Sequence, residues 1–96
     1  MSKLNFDSVK SAEKAIRAVK QKDRQKILNL LAEKDMNVSE LQNETKLQQV
    51  QTSLHLNILR NVGLVDSSRT GRFVSYKINK EKLAELLATF ERITTI

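Results

Sequence analysis

The most informative pattern of apolar and polar positions lies in residues 38–65. Four residues share one face of a helix that is predicted to begin at Gln48: Thr52, Leu56, Leu59 and Gly63. A stripe with this spacing indicates an amphipathic helix that packs on a core. Gly63 suits the left-handed residue that follows many helix ends, so the helix is expected to end there.

A second, shorter helix precedes this one. Ser39 and Gln42 have the spacing of a capping box, which predicts a helix that begins at Ser39 and ends near Glu44–Thr45. Lys46 and Leu47 then form the turn. Two short helices joined by a brief turn are typical of a helix-turn-helix motif, whose second helix enters the major groove of DNA. The local pattern fits a plain structural hairpin of two helices equally well.

Two amphipathic segments come before this motif. The first is predicted from Asp7 to about Lys20, with Phe6 packing at its start, and its apolar stripe is Val9, Ala12, Ile16 and Val19. That stripe has few large apolar residues, which favours packing on another helix over binding to an anionic membrane. The second segment begins at Asp23, ends near Lys34–Asp35, and carries a broad apolar arc: Ile27, Leu28, Leu30 and Leu31. The arc predicts a core helix.

Beyond the motif, the pattern changes from helical to extended. Residues 64–68 and 73–78 are predicted to be two strands of a hairpin, joined by a turn at 69–72 that has an arginine at each end. A strand of one or two residues is also expected at Asn37–Val38. Asn79 is expected to cap a last helix with five large apolar residues on one side: Leu83, Leu86, Leu87, Phe90 and Ile93. We interpret this stripe as a dimer interface, formed together with the first helix, because it exceeds what a small monomer needs.

Composition narrows the possible functions. The 96 residues make one domain, and the formal net charge of +6 favours a polyanionic partner, although it also suits solubility alone. Without cysteine the chain has no disulfide, thiolate metal site or thiol switch. No signal peptide or membrane-spanning stretch is visible, so a cytoplasmic location is expected. We find no nucleophile–base pair, phosphate-binding glycine loop or metal constellation, so neither an enzyme nor a cofactor is expected.

The outer side of the helix that begins at Gln48 is the candidate surface for contacts with DNA bases. The residues expected on it are Gln48, Gln49, Val50, Gln51, Ser53, Leu54 and Asn57. Gln and Asn can pair with adenine through two hydrogen bonds, and apolar side chains can contact the thymine methyl group, so an A·T-rich site is expected. Arg69 and Arg72 are expected to contact phosphates or a narrow minor groove.

These residues also have simpler interpretations. The two arginines can belong to an ordinary soluble turn. Val50, Leu54 and Ile58 can form an apolar strip for a protein partner, which would make the domain a protein-interaction module. His55 has no visible partner ligands, so we expect it to pack at the edge of its helix and not to bind a metal.

Four segments carry a resemblance to a known family. They are Asp23–Leu31 (DRQKILNLL), Val38–Leu41 (VSEL), Ser53–Val65 (SLHLNILRNVGLV) and Arg69–Ile78 (RTGRFVSYKI). The chain resembles the ArsR-type (arsenic-repressor-like) bacterial transcription regulators, with their D-x-x-R-x-x-I-L-x-x-L helix, S-x-H-L-x-x-L-x-x-A-G-L-V signature and R-x-G-R-x-x-Y-x-L wing. The arginine of the first motif is placed differently here. The resemblance covers roughly residues 15–93.

The resemblance implies a mainly α winged helix-turn-helix fold with a small β-hairpin. It implies a single domain, residues 1–96, with the helix-turn-helix at 39–63, the wing at 64–78, and dimerisation through segments near 6–20 and 80–95. The dimer contacts that we expect are Val9, Ile16, Leu83, Leu86, Leu87, Phe90 and Ile93. The implied function is that of a homodimer that binds an inverted-repeat operator in double-stranded DNA and represses transcription.

The chain departs from the family pattern at its sensing positions. Metal sensors of the family carry Cys-Val-Cys where this chain has Asn37-Val38-Ser39, so the thiolate ligands are missing. Other members place His on the last helix, and residues 80–96 contain none. Leu54 stands where the family often has Arg, which removes a phosphate or guanine contact and predicts modest affinity for each half-site. We expect no sensing of metal or redox state through the usual sites. Binding of another small ligand and constitutive DNA binding both stay open.

Overall fold

The computed structural model describes the backbone of residues 6–94 and their side chains, other than those of residues 6, 8, 93 and 94. Within that span the elements are α1 (Phe6–Val19), α2 (Lys22–Glu33), α3 (Val38–Thr45), α4 (Gln49–Asn61), β1 (Val65–Thr70), β2 (Phe73–Ile78) and α5 (Lys80–Thr94). This order confirms the predicted mainly α fold with one hairpin. The expectations for the side chains of Phe6 and Ile93 lie outside the described residues.

The core lies where α2, α3, α4 and the start of β1 meet. Its largest fully buried side chains are those of Ile27, Leu41, Thr52, Leu56, Leu59, Leu64 and Val65. Each large aliphatic residue buried in this way contributes roughly 1.5–3 kcal/mol. Leu28 and Leu30 of α2 are only partly buried and pack against this cluster, so the predicted core role of α2 rests mainly on Ile27 and Leu31.

Helix α3 has a different cap from the one predicted. Asn37, and not Ser39, is the capping residue: its Oδ1 accepts from the Glu40 backbone N–H at 2.8 Å, and its own N–H donates to Glu40 Oε1 at 3.0 Å. The predicted strand at Asn37–Val38 is also wrong, because the extended pairing is one residue earlier. Met36 exchanges backbone hydrogen bonds with Tyr76 of β2, at 3.1 and 2.8 Å. This tertiary pairing fixes where the chain enters α3.

Helix α1 packs through small residues. Among the side chains of α1 that the structure describes, those of Ala12, Ala15 and Ala18 are buried, whereas Val9 and Ile16 are only partly buried. The predicted apolar stripe was therefore wrong in part, because it included Ala12 but omitted Ala15 and Ala18. Alanines let a neighbouring helix approach closely, and α1 lies against α2, α4 and α5. The larger residues at its margin keep part of their surface exposed.

The hairpin is antiparallel, and its strands pair from Val65–Ile78 at the base to Thr70–Phe73 at the tip. The turn consists of Gly71 and Arg72 alone, so β1 is longer than predicted and Arg69 lies within it. Gly71 has a φ of 64° at the first turn position, which is the conformation that a two-residue turn with Gly first requires.

Helix α5 begins as predicted, with Asn79 Oδ1 accepting from the Lys82 backbone N–H at 3.0 Å. The helix lies on α1 and buries Thr89, which is 7% exposed. Leu86 is partly buried against the core, whereas Leu83, Leu87 and Phe90 are 37%, 56% and 49% exposed. An apolar stripe therefore faces outward along α5. None of the helices within residues 6–94 is long and apolar enough to cross a bilayer.

Candidate nucleic-acid interface

Helix α4 is held firmly along its inner face. Thr52, Leu56 and Leu59 are 0% exposed, as the sequence predicted for that stripe. The Thr52 hydroxyl donates to the Gln48 carbonyl at 3.0 Å, so this buried polar side chain is satisfied within the helix. The inner face therefore fixes both the position and the rotation of α4 relative to the core.

The opposite face of α4 is open. The residues predicted for base contacts are exposed at Gln48, Gln49, Val50, Gln51, Leu54 and Asn57, and partly buried at Ser53. Val50 is 79% exposed and Leu54 is 55% exposed. The helix contains no acidic residue, so nothing on it repels phosphate. This face combines amide and apolar side chains, which are the groups that read base edges in the major groove.

The turn before α4 sets the direction of that face. Helix α3 ends at Thr45 and is capped by Lys46, which has a φ of 64° and donates its N–H to the Gln42 carbonyl at 2.8 Å. The Thr45 hydroxyl accepts from the Leu47 N–H at 3.3 Å. The predicted turn at Lys46 and Leu47 is thus confirmed. A left-handed lysine has a steric cost that glycine would avoid, and the hydrogen bonds around it help to offset that cost.

Two details of α4 were not anticipated from the sequence. Gln51 Oε1 accepts from the Gln48 backbone N–H at 3.3 Å, so this amide serves as a helix cap in the free protein. The spacing of Gln48 and Gln51 could have indicated that role. Ile58 is partly buried and packs on the core. The apolar strip considered for a protein partner is therefore shortened to Val50 and Leu54.

His55 packs at the edge of α4, as predicted, with a side chain that is 11% exposed. Its Nδ1 lies 3.3 Å from Arg24 Nη1, and its Nε2 lies 3.9 Å from Asp23 Oδ2. Burial lowers the pKa of His55, and the Arg24 guanidinium lowers it further, while Asp23 opposes the shift. The arrangement favours a neutral ring whose Nδ1 accepts from Arg24.

Arg24 also connects this site to α1. Its Nε donates to the Ala18 carbonyl near the end of α1 at 2.6 Å. One side chain of α2 therefore contacts α1 through a carbonyl and α4 through His55. No spacing rule would have revealed from the sequence a contact between residues 31 positions apart.

The hairpin is rigidly attached to the last turn of α4. The Leu64 N–H donates to the Leu59 carbonyl at 3.0 Å, and the Leu64 carbonyl accepts from the Asn79 N–H at 2.9 Å. Gly63, with a φ of 82°, makes the bend between helix and strand. A Cβ on Gly63 would approach the Lys82 side chain to 3.3 Å, so the bend also leaves little room. The two candidate surfaces, α4 and the hairpin, thus form one unit.

Arg69 and Arg72 are both exposed near the hairpin tip. Arg69 lies in β1 opposite Val74, and Arg72 occupies the second turn position. Neither guanidinium takes part in a salt bridge within the described span. Both charges are therefore available to phosphate.

The positions of the family's metal ligands are used here for other purposes. Asn37 caps α3, and Ser39 is exposed on its first turn. Among the side chains that the structure describes, no group of three or more His, Asp or Glu residues could hold a metal ion. At this position the Asn37 side chain therefore stabilises the start of α3.

An anchored helix with an open face, followed by a hairpin with free arginines, defines a winged helix-turn-helix DNA-binding domain. Comparison with known proteins makes the assignment more specific. A family model described as "Bacterial regulatory protein, arsR family" matches residues 21–67. The transcriptional repressor SdpR of Bacillus subtilis (strain 168) is 30% identical over 69 residues, which are 72% of this chain and 77% of that protein.

Solved structures agree with this result. An ArsR-like transcriptional regulator from Rhodococcus sp. RHA1 matches with a TM-score of 0.86 and 27% identity, over 93% of this chain and 84% of that chain. The homodimeric winged helix-turn-helix DNA-binding domain of a possible ArsR-family regulator from Mycobacterium bovis matches with a TM-score of 0.77 and 25% identity, over 99% and 88%. The chain belongs to the ArsR family of bacterial transcriptional regulators, a family of DNA-binding proteins and not of enzymes.

Proposed function

We propose that this protein is a transcriptional repressor that binds an inverted-repeat operator as a homodimer. The observation that carries the proposal is the open, acid-free face of α4 beside a hairpin with two unpaired arginines. The likeness to a protein described as a transcriptional repressor supports the direction of regulation. Repression follows physically when a bound dimer occupies DNA that RNA polymerase must use.

In this proposal α4 lies in the major groove. Its amide side chains, from Gln48, Gln49, Gln51 and Asn57, hydrogen-bond to base edges, and Gln51 must release its cap to do so. Val50 and Leu54 contact thymine methyl groups, and Ser53 hydrogen-bonds at the margin. A surface of amides and aliphatic groups favours A·T pairs, because Gln and Asn match the adenine edge.

The hairpin acts as the wing. Arg69 and Arg72 bind phosphates or enter the adjacent minor groove, which is narrow and strongly negative where the sequence is A·T-rich. These contacts position α4 without reading the sequence. Because the wing base is bonded to the end of α4 through Leu64, contacts made by the wing also fix the depth of α4 in its groove.

The proposed dimer forms through α1 and α5. Its contacts are Val9, Ile16, Leu83, Leu86, Leu87, Phe90 and Ile93. The outward stripe of Leu83, Leu87 and Phe90 supports this interface, since an exposed apolar stripe of this length is a typical association surface. The homodimeric state of the M. bovis relative supports it independently. A two-fold dimer would place its two α4 helices about 34–36 Å apart, one turn of DNA.

We also propose that the chain does not sense metals or thiol oxidation through the family's usual sites. It has no cysteine, and Asn37, at the first position of the Cys-Val-Cys motif, is engaged in capping α3. DNA affinity should therefore be unaffected by zinc, by chelators and by mild oxidants. Regulation then falls to the expression level or to a ligand of another class.

The proposal is tested by binding to DNA from upstream of the protein's own gene, with a scrambled duplex as competitor, over a series of salt concentrations. We expect selective binding whose log affinity falls linearly with log salt. The double variant Arg69→Ala/Arg72→Ala removes four arginines from the dimer and should lower the magnitude of the slope by about 3.6, at about 0.9 for each lost phosphate contact. Lys26→Ala/Lys34→Ala removes the same charge from exposed positions in and just after α2, outside the proposed DNA and dimer surfaces, and serves as the control. Absence of binding at low salt would contradict the proposal.

A second candidate is a winged-helix module that binds a protein. The exposure of Val50 and Leu54 is the observation that favours it. In that case the arginine variants would leave the function unchanged, whereas Val50→Ser/Leu54→Ser would abolish capture of the partner. The arginine double variant and the Val50/Leu54 double variant together therefore distinguish a DNA-binding regulator from a protein-binding module.

A further inference from the structure

The hairpin tip carries a large aromatic residue that the DNA-binding surface described so far does not include. Phe73 is the first residue of β2, and 70% of its surface is exposed. It pairs with Thr70, the last residue of β1. A Cβ added to Gly71, in the adjoining turn, would meet no atom within 4 Å. Phe73 therefore lies at the free end of the wing.

The strand register shows that Phe73 does not belong to the core. Side chains paired across an antiparallel hairpin share one face. One face carries the pairs Val65–Ile78, Ser67–Tyr76 and Arg69–Val74. The other carries Asp66–Lys77, Ser68–Ser75 and Thr70–Phe73. Val65 is buried, and Tyr76 and Ile78 pack on the core, so Phe73 lies on the outward face. Only a slip of register would turn it inward, and that would expose Val65.

The surroundings of Phe73 select a polyanion as its partner. Arg72 precedes it in the turn, Arg69 lies one pair further along on the opposite face of the hairpin, and residues 67–76 contain no Asp or Glu. A partner that enclosed the tip from both faces would have to neutralise both arginines. DNA does so with its phosphates, and its minor groove offers apolar sugar walls between them. Apolar side chains next to Arg or Lys are a known means of contact with the minor groove.

We propose that the Phe73 ring is an apolar DNA contact that lies against the deoxyribose walls of the minor groove, between phosphates bound by Arg69 and Arg72. This inference rests on the proposed DNA-binding function and adds a contact of a different kind. The arginines supply a salt-dependent attraction, whereas the ring supplies a contact that salt does not screen. Sugars are common to all sequences, so Phe73 contributes affinity and wing depth and does not read bases.

The test compares Phe73→Ser with the wild type on the preferred operator, by equilibrium binding and by hydroxyl-radical footprinting, which reports the exposure of sugars. We expect Phe73→Ser to weaken binding roughly tenfold, the scale of burying part of a large apolar side chain. The slope of log affinity against log salt should not change, because no phosphate contact is lost. Protection of the flanking minor-groove sugars should disappear, while protection within the half-sites remains.

Three control variants separate the contribution of the Phe73 ring from those of the arginines and of the hairpin itself. Phe73→Leu keeps an apolar side chain and should retain most of the affinity and the sugar protection. Arg72→Ala removes one arginine from each protomer and should reduce the salt slope of the dimer by about 1.8, in contrast with Phe73→Ser. Thr70→Ala removes the cross-strand partner and should bind as the wild type does. Circular dichroism and urea unfolding of each variant verify that the fold is intact.

The proposal is overturned if Phe73→Ser binds and protects like the wild type. It is also overturned if Phe73→Ser flattens the salt slope, or if Thr70→Ala reproduces the loss, since the ring would then act only through the arginines or the hairpin. Failure of the proposed function has a different signature: the wild-type protein itself would show no selective binding.

Discussion

Helices α4 and α5 are both amphipathic, but they use their faces in opposite ways. On α4 the large aliphatic side chains Leu56 and Leu59 are fully buried, and the open face is rich in amides. On α5 the one buried side chain among its described residues is that of Thr89, and the large apolar residues Leu87 and Phe90 are about half exposed. A monomer gains little by leaving such residues in water. The inner face of α4 is thus covered within one chain, and the exposed face of α5 is the one to which we assign the proposed dimer contact.

The largest effect should come from the inner face of α4. Leu59→Ala should lower the free energy of unfolding by roughly 2–5 kcal/mol, because it removes a fully buried side chain and leaves a cavity. Leu54→Ala, on the exposed face of the same helix, should change it by less than about 0.5 kcal/mol. Urea unfolding at one fixed protein concentration measures both. Equal losses would mean that the outer face of α4 is also packed.

The outer face of α5 should control association. Leu87→Lys should weaken the proposed dimer at least tenfold, about 1.4 kcal/mol, because it places a charge in an apolar interface. Ala88→Lys adds the same charge one residue further, at an exposed position beside the glutamates of α5, and should leave the dimer intact. Sedimentation equilibrium distinguishes the two variants. A wild-type protein that stays monomeric at all accessible concentrations would contradict the interpretation of α5.

Adding a charge to the outer face of α4 should strengthen DNA binding. Leu54→Arg supplies the residue that the family often carries there, and one new phosphate contact in each protomer steepens the salt slope of the dimer by about 1.8. Leu54→Gln changes the same exposed position without charge and should leave the slope as it is. Affinity for the operator over a salt series measures both variants. An unchanged slope in Leu54→Arg would place position 54 away from the DNA.

The smallest effect concerns His55, which joins α4 to α2. Its pKa is lowered, chiefly by burial, from an ordinary value of about 6.5, so the unfolded chain binds a proton more readily than the folded protein does. The neutral ring is therefore the more stable folded form. Stability should be fully present above about pH 6.5 and decline as the pH falls through the folded pKa.

An NMR titration of His55, the one histidine of the chain, tests this directly. Arg24→Gln should raise the pKa of His55, because it removes a neighbouring positive charge, and Asp23→Asn should lower it further. Shifts in the opposite directions would disprove the assigned contacts. His55→Gln should abolish the dependence of stability on pH in this range.

Local signals predicted most of the fold. Three properties of short segments were correctly predicted: the buried stripe of Thr52, Leu56 and Leu59, the helix cap at Asn79 and the bend at Gly63. The errors arose where distant segments meet. Both Ser39 and Asn37 have capping spacing, and the pairing of Met36 with β2 decides between them.

The same reasoning applies to the candidate site. Exposure of the outer face of α4 followed from its helical period, but the burial of Ile58 depended on neighbours that the period does not specify. The contact of Arg24 with His55 joins two helices and had no local signal. The exposed position of Phe73 required the strand register, since its neighbours alone predicted only a turn followed by a strand.

The central claim is that the outer face of α4 reads DNA while the outer face of α5 joins two copies. The most direct measurement is equilibrium binding to the preferred inverted repeat, and to the same site with about 5 base pairs, half a helical turn, inserted between the half-sites. The account predicts two protomers on the original site and a fall in affinity to the level of a single half-site after insertion, because the second half-site then faces away. Equal affinity for the two duplexes, or one protomer on the intact repeat, would contradict it.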